Sequence, residues 1–194
     1  MEVFIKEEDL IREVLAGDRD AYAGVVRSYQ VKVLGLCTSL LGNATQAEDA
    51  AQEIFIKAYQ SLQSFRGDSS FSTWLYRITI NHCLNQQAKK KRQRWFSLDF
   101  ISDSEIEQNP APTHDANNRP DTVLEQKETE LIIQNSINSL PKQQRIAIIL
   151  SRYEGLTYQE IAEVMHCSVA SVESRLFRAK QNLYRKLRPY LKDL

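Results

Sequence analysis

Ser171, Glu173, Ser174, Phe177 and Arg178 fall on one arc of a helical wheel, and their types are those that read a nucleic-acid duplex. Small residues let a helix approach DNA, arginine pairs bidentately with guanine, and an aromatic ring packs on a thymine methyl. Arg175 and Lys180 border the arc. The opposite side carries Val169, Val172, Leu176, Ala179, Leu183 and Leu187, one stripe at about 100° per residue, which must be buried.

Upstream, Thr157-Tyr-Gln-Glu160 fits a capping box that opens a shorter helix with Ile161, Ala162, Val164 and Met165 as its apolar side. That helix runs out at His166-Cys167, and Ser168 caps the longer one. Thr157 to Leu187 therefore reads as a helix-turn-helix, with a turn of about three or four residues. Helix pairs of this kind also occur in proteins that touch no DNA, in which case Phe177 packs against another domain.

A second group suits single strands. Phe65-Arg66-Gly67-Asp68-Ser69-Ser70 is a polar loop bracketed by Phe65 and Phe71, and it feeds an aromatic-rich helix through Trp74, Tyr76 and Asn81 that ends in Lys89, Lys90, Lys91, Arg92, Gln93, Arg94 and Trp95. Unstacked bases need π-faces and their phosphates need cations. Burial preference assigns Trp74 and Leu75 to the core; Phe65, the loop and the Lys89 to Arg94 run are read as nucleic-acid contacts.

The elements that must position these groups are all helical. Helices are expected over Lys6 to Ala16, Asp20 to Leu41, Thr45 to Ser64, Ser70 to Arg94, Val123 to Ser139 and Pro141 to Tyr153, before the final pair. Gly17 and Gly42 stop the first two, Thr45-Gln-Ala-Glu48 reads as a capping box for the third, and Pro141 falls in the first turn of the sixth. From Ser97 to Thr122 the periodicity fails around Pro110, Pro112 and Pro120, which marks a flexible acidic linker between domains at 1–96 and 123–194.

Composition narrows the class. The chain has 194 residues, 42% of them hydrophobic, with 25 basic and 25 acidic side chains. The balance hides a segregation. Residues 97–130 hold nine acids (Asp99, Asp103, Glu105, Glu107, Asp115, Asp121, Glu125, Glu128, Glu130) against Arg119 and Lys127, whereas residues 131–194 hold ten bases against five acids. A locally basic face supplies phosphate affinity whatever the total charge. No run approaches the roughly 20 apolar residues of a membrane span, and the acidic amino-terminus does not fit a signal peptide, so a cytoplasmic location is expected.

Cys37, Cys83 and Cys167 show no C-x-x-C spacing, which points away from a disulfide framework or a zinc site. His166-Cys167 is read as a turn pair with no metal. No H-x-E with paired cysteines, phosphate-cradling glycine loop or close Ser/His/Asp set is visible, so neither catalysis, a cofactor nor a small-molecule substrate is expected.

Ala47-Glu48-Asp49-Ala50-Ala51-Gln52-Glu53-Ile54-Phe55, the Phe65 to Asn81 stretch, Leu156-Thr-Tyr-Gln-Glu-Ile-Ala162 and Ser168 to Ala179 are the parts through which nearly the whole chain resembles bacterial sigma factors of the extracytoplasmic-function group. The Phe65-Arg-Gly-Asp-Ser loop and Arg175-Leu-Phe-Arg-Ala179 are similar to those of sigma-E-like members. The resemblance implies an all-α protein of two helical domains, sigma region 2 and a helix-turn-helix sigma region 4, joined by the acidic linker. It implies a factor that binds core RNA polymerase and directs it to promoters, for a stress or envelope-response set of genes.

By that resemblance, Asp49, Gln52, Glu53 and Phe55 dock on the clamp coiled coil of the largest polymerase subunit, and the flap is a further polymerase contact. Phe65, Arg66, Gly67, Asp68, Ser69 and Ser70, with Asn81 beneath them, pocket a flipped base of the −10 strand, while Lys89, Lys90, Lys91 and Arg92 hold its backbone. Ser171, Glu173, Ser174, Phe177 and Arg178 enter the major groove of the −35 element, with Arg175 nearer the phosphates. An anti-sigma factor, often membrane-anchored in this family, is implied as regulator.

Two positions depart from the pattern. Ala170 stands where the family usually has Gly, and Glu173 where it often has Lys or Arg, so a shifted −35 preference is expected. Asn85 replaces an Asp common after the −10 segment, as in sigma-E-like members, and is expected to leave function intact. The alternative is a one-component helix-turn-helix regulator with a ligand-sensing amino-terminal domain.

Overall fold

The computed structural model describes residues 7–98, 129, 131–152 and 155–190, and among these all regular structure is helical. The helices are α1 (Glu7–Leu15), α2 (Arg19–Leu41), α3 (Ala44–Ser61), a 3-10 turn (Leu62–Ser64), α4 (Phe71–Leu98), α5 (131–138), α6 (Lys142–Arg152), α7 (Tyr158–Met165) and α8 (Val169–Leu187). The chain divides into two compact units, Met1–Lys91 and Arg92–Leu194.

In the first unit, α3 offers a stripe of small residues to its neighbours. Ala47, Ala50, Ala51, Ile54 and Ala58 are buried at helical spacing, as are Val25, Val33, Leu36 and Leu40 of α2, against which α3 packs, and Leu75, Tyr76 and Ile80 of α4. α1 closes on α2 at Gly24, where a Cβ would stand 3.0 Å from Leu10. Cys37 and Cys83 are free thiols in this core, with sulfurs 3.7 Å apart. Their mutual hydrogen bond and then burial push the Cys37 thiol up, which makes it unreactive.

The turn from α2 to α3 departs from the sequence expectation. Gly42 closes α2 by donating its N–H to the Thr38 carbonyl at 2.8 Å, and Asn43 caps α3 by accepting from the Gln46 N–H at 3.0 Å. The Thr45 capping box is therefore not used. Asparagine caps at least as well as threonine, and starting two residues earlier adds hydrogen-bonded turn to the helix without lengthening the loop. α4 also runs past Arg94 to Leu98, so Ser97 and Leu98 are helical instead of opening the linker. Residues 99–128 of the expected linker and following helix lie outside the described residues, as does Tyr153.

The second unit is built on α8. Its Val172, Leu176 and Ala179 are buried with Ile146 to Leu150 of α6 and Ile161, Ala162 and Val164 of α7, while Val169, Leu183 and Leu187 are half-buried at the margin. Pro141 precedes α6 as its cap, its carbonyl accepting from Gln144 and Arg145, so it sits just before the first turn. The Thr157 capping box is complete, with Glu160 N–H at 3.2 Å from Thr157 Oγ1 and Thr157 N–H at 2.8 Å from Glu160 Oε2. The Thr157 hydroxyl, donating to Glu160 Oε2 at 2.7 Å, and then the Thr157 N–H hold the Glu160 carboxyl below its ordinary range against a smaller effect of burial.

α7 ends on His166 in the left-handed region, φ 48°, with Cys167 N–H donating to the Ala162 carbonyl at 3.0 Å. Ser168 then caps α8 by accepting from Ser171 N–H at 3.2 Å. The turn is thus His166 to Ser168, closed at both ends by hydrogen bonds.

Candidate nucleic-acid interface

The packing of Val172, Leu176 and Ala179 fixes the rotation of α8 and so decides which residues it shows to solvent. Glu173, Ser174, Phe177 and Arg178 are all exposed, Phe177 to 62%. The Arg178 guanidinium follows the open phenyl ring by one residue on the same exposed arc. Ser171 is half-buried at the helix start, and its hydroxyl lies 3.1 Å from Ser168 Oγ, so it belongs to the cap as much as to the outer face.

Arg175 stands at the edge of the arc, as expected. It is half-buried, and Nη1 lies 3.2 Å from Cys167 Sγ and 3.9 Å from Met165 Sδ. The side chain folds back along α8 onto the end of α7 and braces the turn that sets the angle of the two helices.

In the first unit the loop before α4 is pinned at both ends. Phe65 is half-buried against Phe71 and Trp74, with ring centroids 5.8 and 5.4 Å away, and Tyr29 stands on the far side of Phe71 at 5.6 Å. Such tilted and edge-on pairs each add about 0.5–1.5 kcal/mol beyond area burial. At the other end the Ser70 hydroxyl accepts from Thr73 N–H at 3.2 Å and caps α4. Between them Arg66, Gly67 and Asp68 are exposed, and Gly67 takes φ 75°, which lets the chain reverse over so few residues. Phe65 is thus an anchor of the loop, with its remaining exposed edge available for stacking.

Asn81 follows on the same helix. It is exposed on α4, ten residues past Phe71, about 15 Å along the helix. There it lines a groove of about 800 Å³ with Glu53, Lys57 and Ser61 of α3 and His82, Asn85 and Lys89 of α4. At about 100° per residue, Trp74, Ile78, Asn81, Asn85, Lys89 and Arg92 form one continuous face. A track therefore leads from the aromatic cluster, past two amides, to two cations. Because α4 stays helical through the basic run, Lys90 points about 180° from Asn81 and leaves the track. The Lys91 side chain lies outside the described residues.

The outer face of α3 shows Asp49, Gln52 and Glu53 to solvent, and at its centre stands Ile56, 57% exposed, which sequence reasoning passed over. Its spacing from Gln52 and Asp49, i+4 and i+7, was the available signal. Phe55 is half-buried at the edge of this face, and its carbonyl accepts from the Tyr22 hydroxyl at 2.6 Å.

Glu53 also turns inward. Its Oε2 lies 3.6 Å from Lys57 Nζ and 3.8 Å from His82 Nε2, while Lys57 Nζ donates to His82 Nδ1 at 2.7 Å. Burial first, and the Lys57 charge second, hold the His82 pKa down, against the opposing pull of Glu53. Among the described residues no cluster of three or more His, Cys, Asp or Glu side chains fits a metal ion, and no helix is long and apolar enough to cross a membrane.

Comparison with known proteins bears on both units. Residues 25–93 match the family model of sigma-70 region 2, and residues 130–183 match that of sigma-70 region 4. The chain is 38% identical over 188 residues to the RNA polymerase sigma-H factor of Pseudomonas aeruginosa, covering 97% of each. It is 37% identical over 189 residues to the ECF RNA polymerase sigma-E factor of Escherichia coli, again covering 97% of each.

Two solved structures share the fold. CnrH, in complex with the cytosolic domain of CnrY, superposes with a TM-score of 0.65 at 23% identity, over 93% of this chain and 96% of that one. The sigma factor RpoE of Bartonella quintana, in complex with the anti-sigma factor NepR, gives 0.64 at 24% identity, over 86% and 96%.

Proposed function

Because this chain belongs to the sigma-70 family, in the extracytoplasmic-function group of RNA polymerase sigma factors, we propose the following division of labour among its surfaces. As a sigma factor it joins core RNA polymerase and directs transcription initiation at promoters. The ligand-sensing amino-terminal domain of the alternative reading gives way to a region 2 domain at residues 25–93.

The exposed arc of α8, Glu173, Ser174, Phe177 and Arg178, reads the −35 major groove, with Ser171 at the tip and Arg175 holding the helix pair in register. The loop from Phe65 to Ser70 takes the flipped base of the −10 element, and Asn81, Asn85, Lys89 and Arg92 carry the strand along α4. Asp49, Gln52, Glu53 and Ile56 dock on polymerase, with Phe55 supporting their helix. The observation that carries the −10 assignment is the unbroken α4 face from Trp74 to Arg92, about 27 Å long, which sets an aromatic ring, amides and cations on one side of the helix, the groups that stack bases and pair phosphates.

The factor works where its polymerase does, in the cytoplasm, and an anti-sigma protein is its regulator. That last assignment is supported by the two fold relatives, each solved with a partner of this kind or with a cytosolic domain bound. The resemblance to sigma-E-like members supports a regulon of stress or envelope response.

The test is promoter-directed transcription with core polymerase and a library of −35/−10 templates. Asn81→Ala is expected to spare closed-complex binding and impair opening. Transcription that starts equally well without the protein, or an Asn81→Ala variant that opens promoters normally, would overturn the corresponding assignment.

A further inference from the structure

Glu53 belongs to two surfaces at once. It lies on the outer face of α3 with Asp49, Gln52 and Ile56, yet its carboxylate reaches the Lys57–His82 pair inside the groove that Asn81 lines. The hydrogen-bond roles in this triad are determined. A lysine ammonium has only donors, so His82 Nδ1 must accept at 2.7 Å, and the imidazole proton is left on Nε2, facing Glu53 Oε2. The His82 side chain is 9% exposed, whereas Lys57 and Glu53 are 52% and 62% exposed, so the imidazole is closed in and the ion pair faces solvent.

The electrostatic consequence is a masked cation. A phosphate approaching Lys57 meets the Glu53 carboxylate 3.6 Å from the ammonium, and the carboxylate offsets part of the attraction that a strand would feel. Lys89, lining the same groove, has no such partner among the contacts of this triad.

We propose that Glu53 gates the −10 track: in the free protein it holds Lys57 in the triad, and when a basic surface of core polymerase takes the Glu53 carboxylate, Lys57 is released to the promoter strand. The proposal rests on the assignment of the α3 outer face to polymerase and of the α4 track to the strand. It makes strand binding follow polymerase binding, with one carboxylate as the link.

The experiment measures binding of the full chain to a −10-type single-stranded oligonucleotide by fluorescence anisotropy over a series of salt concentrations. Glu53→Gln is expected to bind about two- to fivefold tighter at low salt, the range for an exposed ion pair. Its log–log salt dependence is expected to steepen by about 0.7, the increment for one more phosphate neutralised on a single strand. The gain is expected to vanish in the Glu53→Gln/Lys57→Gln double variant. Asp49→Asn, the same charge change one turn away, is expected to give a smaller gain that survives Lys57→Gln.

A Glu53→Gln variant that binds no tighter than wild type, or whose gain persists without Lys57, overturns the gate. Core-polymerase affinity is measured on the same variant. A strand-binding gain with unchanged polymerase affinity overturns the polymerase assignment of this face and with it the release step. A polymerase defect with no gain in strand binding overturns the gate alone.

Discussion

Lys57 Nζ stands 2.7 Å from His82 Nδ1, joining α3 to α4 across 25 residues of sequence, and both side chains line the groove. Burial and the lysine charge lower the His82 pKa, so the folded protein keeps this imidazole neutral where the unfolded chain, near 6.5, already takes a proton. The unfolded state therefore binds more protons, and stability is full above that value and falls as pH drops from about 6.5 through the folded pKa. Urea denaturation at pH 7.5 and 5.5 is expected to show this loss, and His82→Gln is expected to flatten it. A pH dependence identical in the variant would assign the effect elsewhere.

Arg178 is exposed on α8 beside Phe177, so its removal leaves the packing of the second unit untouched. Arg178→Ala is expected to cost about 1–3 kcal/mol of binding to the upstream element, with discrimination relaxed at one base pair and thermal stability unchanged. Equal losses on specific and random duplexes would show a phosphate contact instead.

Glu173 lies one helical turn before Phe177 on the same exposed arc, and a carboxylate there repels phosphate and guanine but accepts from cytosine N4. Selection from a randomised −35 element is expected to return a preference shifted from that of the sigma-E relatives, and Glu173→Lys is expected to move it back. The same consensus from both proteins would remove Glu173 from the readout.

Thr157 and Glu160 cap α7 reciprocally, which sets where the helix-turn-helix begins. Thr157→Ala is expected to destabilise the second unit by about 1 kcal/mol. Since the hydrogen bonds hold the Glu160 pKa down, the carboxylate's contribution is present above the unfolded value near 4.3 and lost as pH falls through the folded one. Glu160→Gln is expected to weaken that acid dependence. Equal melting of wild type and Thr157→Ala would show the cap to be immaterial.

Much of the second unit was legible in the sequence because its signals act within one or two helical turns. The Thr157 box, the Ser168 cap and the stripe of Val172, Leu176 and Ala179 are local interactions, and the stripe alone determines which arc of α8 faces outward. The sequence-level placement of the Thr45 cap failed because two capping residues two positions apart compete, and the tight turn after Gly42 decides for Asn43.

By itself, then, the sequence determined the helices, their exposed and buried arcs, the aromatic bracket of the loop and the family pattern that the relatives share. Tertiary packing decided the pairings that no local period encodes. Lys57 meets His82, Cys37 meets Cys83, Arg175 reaches back to Cys167, and Asn81 opens on the α3–α4 groove. Each depends on how far one helix is rotated and slid against the next. That phase is set by the summed fit of the Ala47, Ala50, Ile54 and Ala58 stripe against α2 and α4, a property of the whole core and of no single stretch of chain.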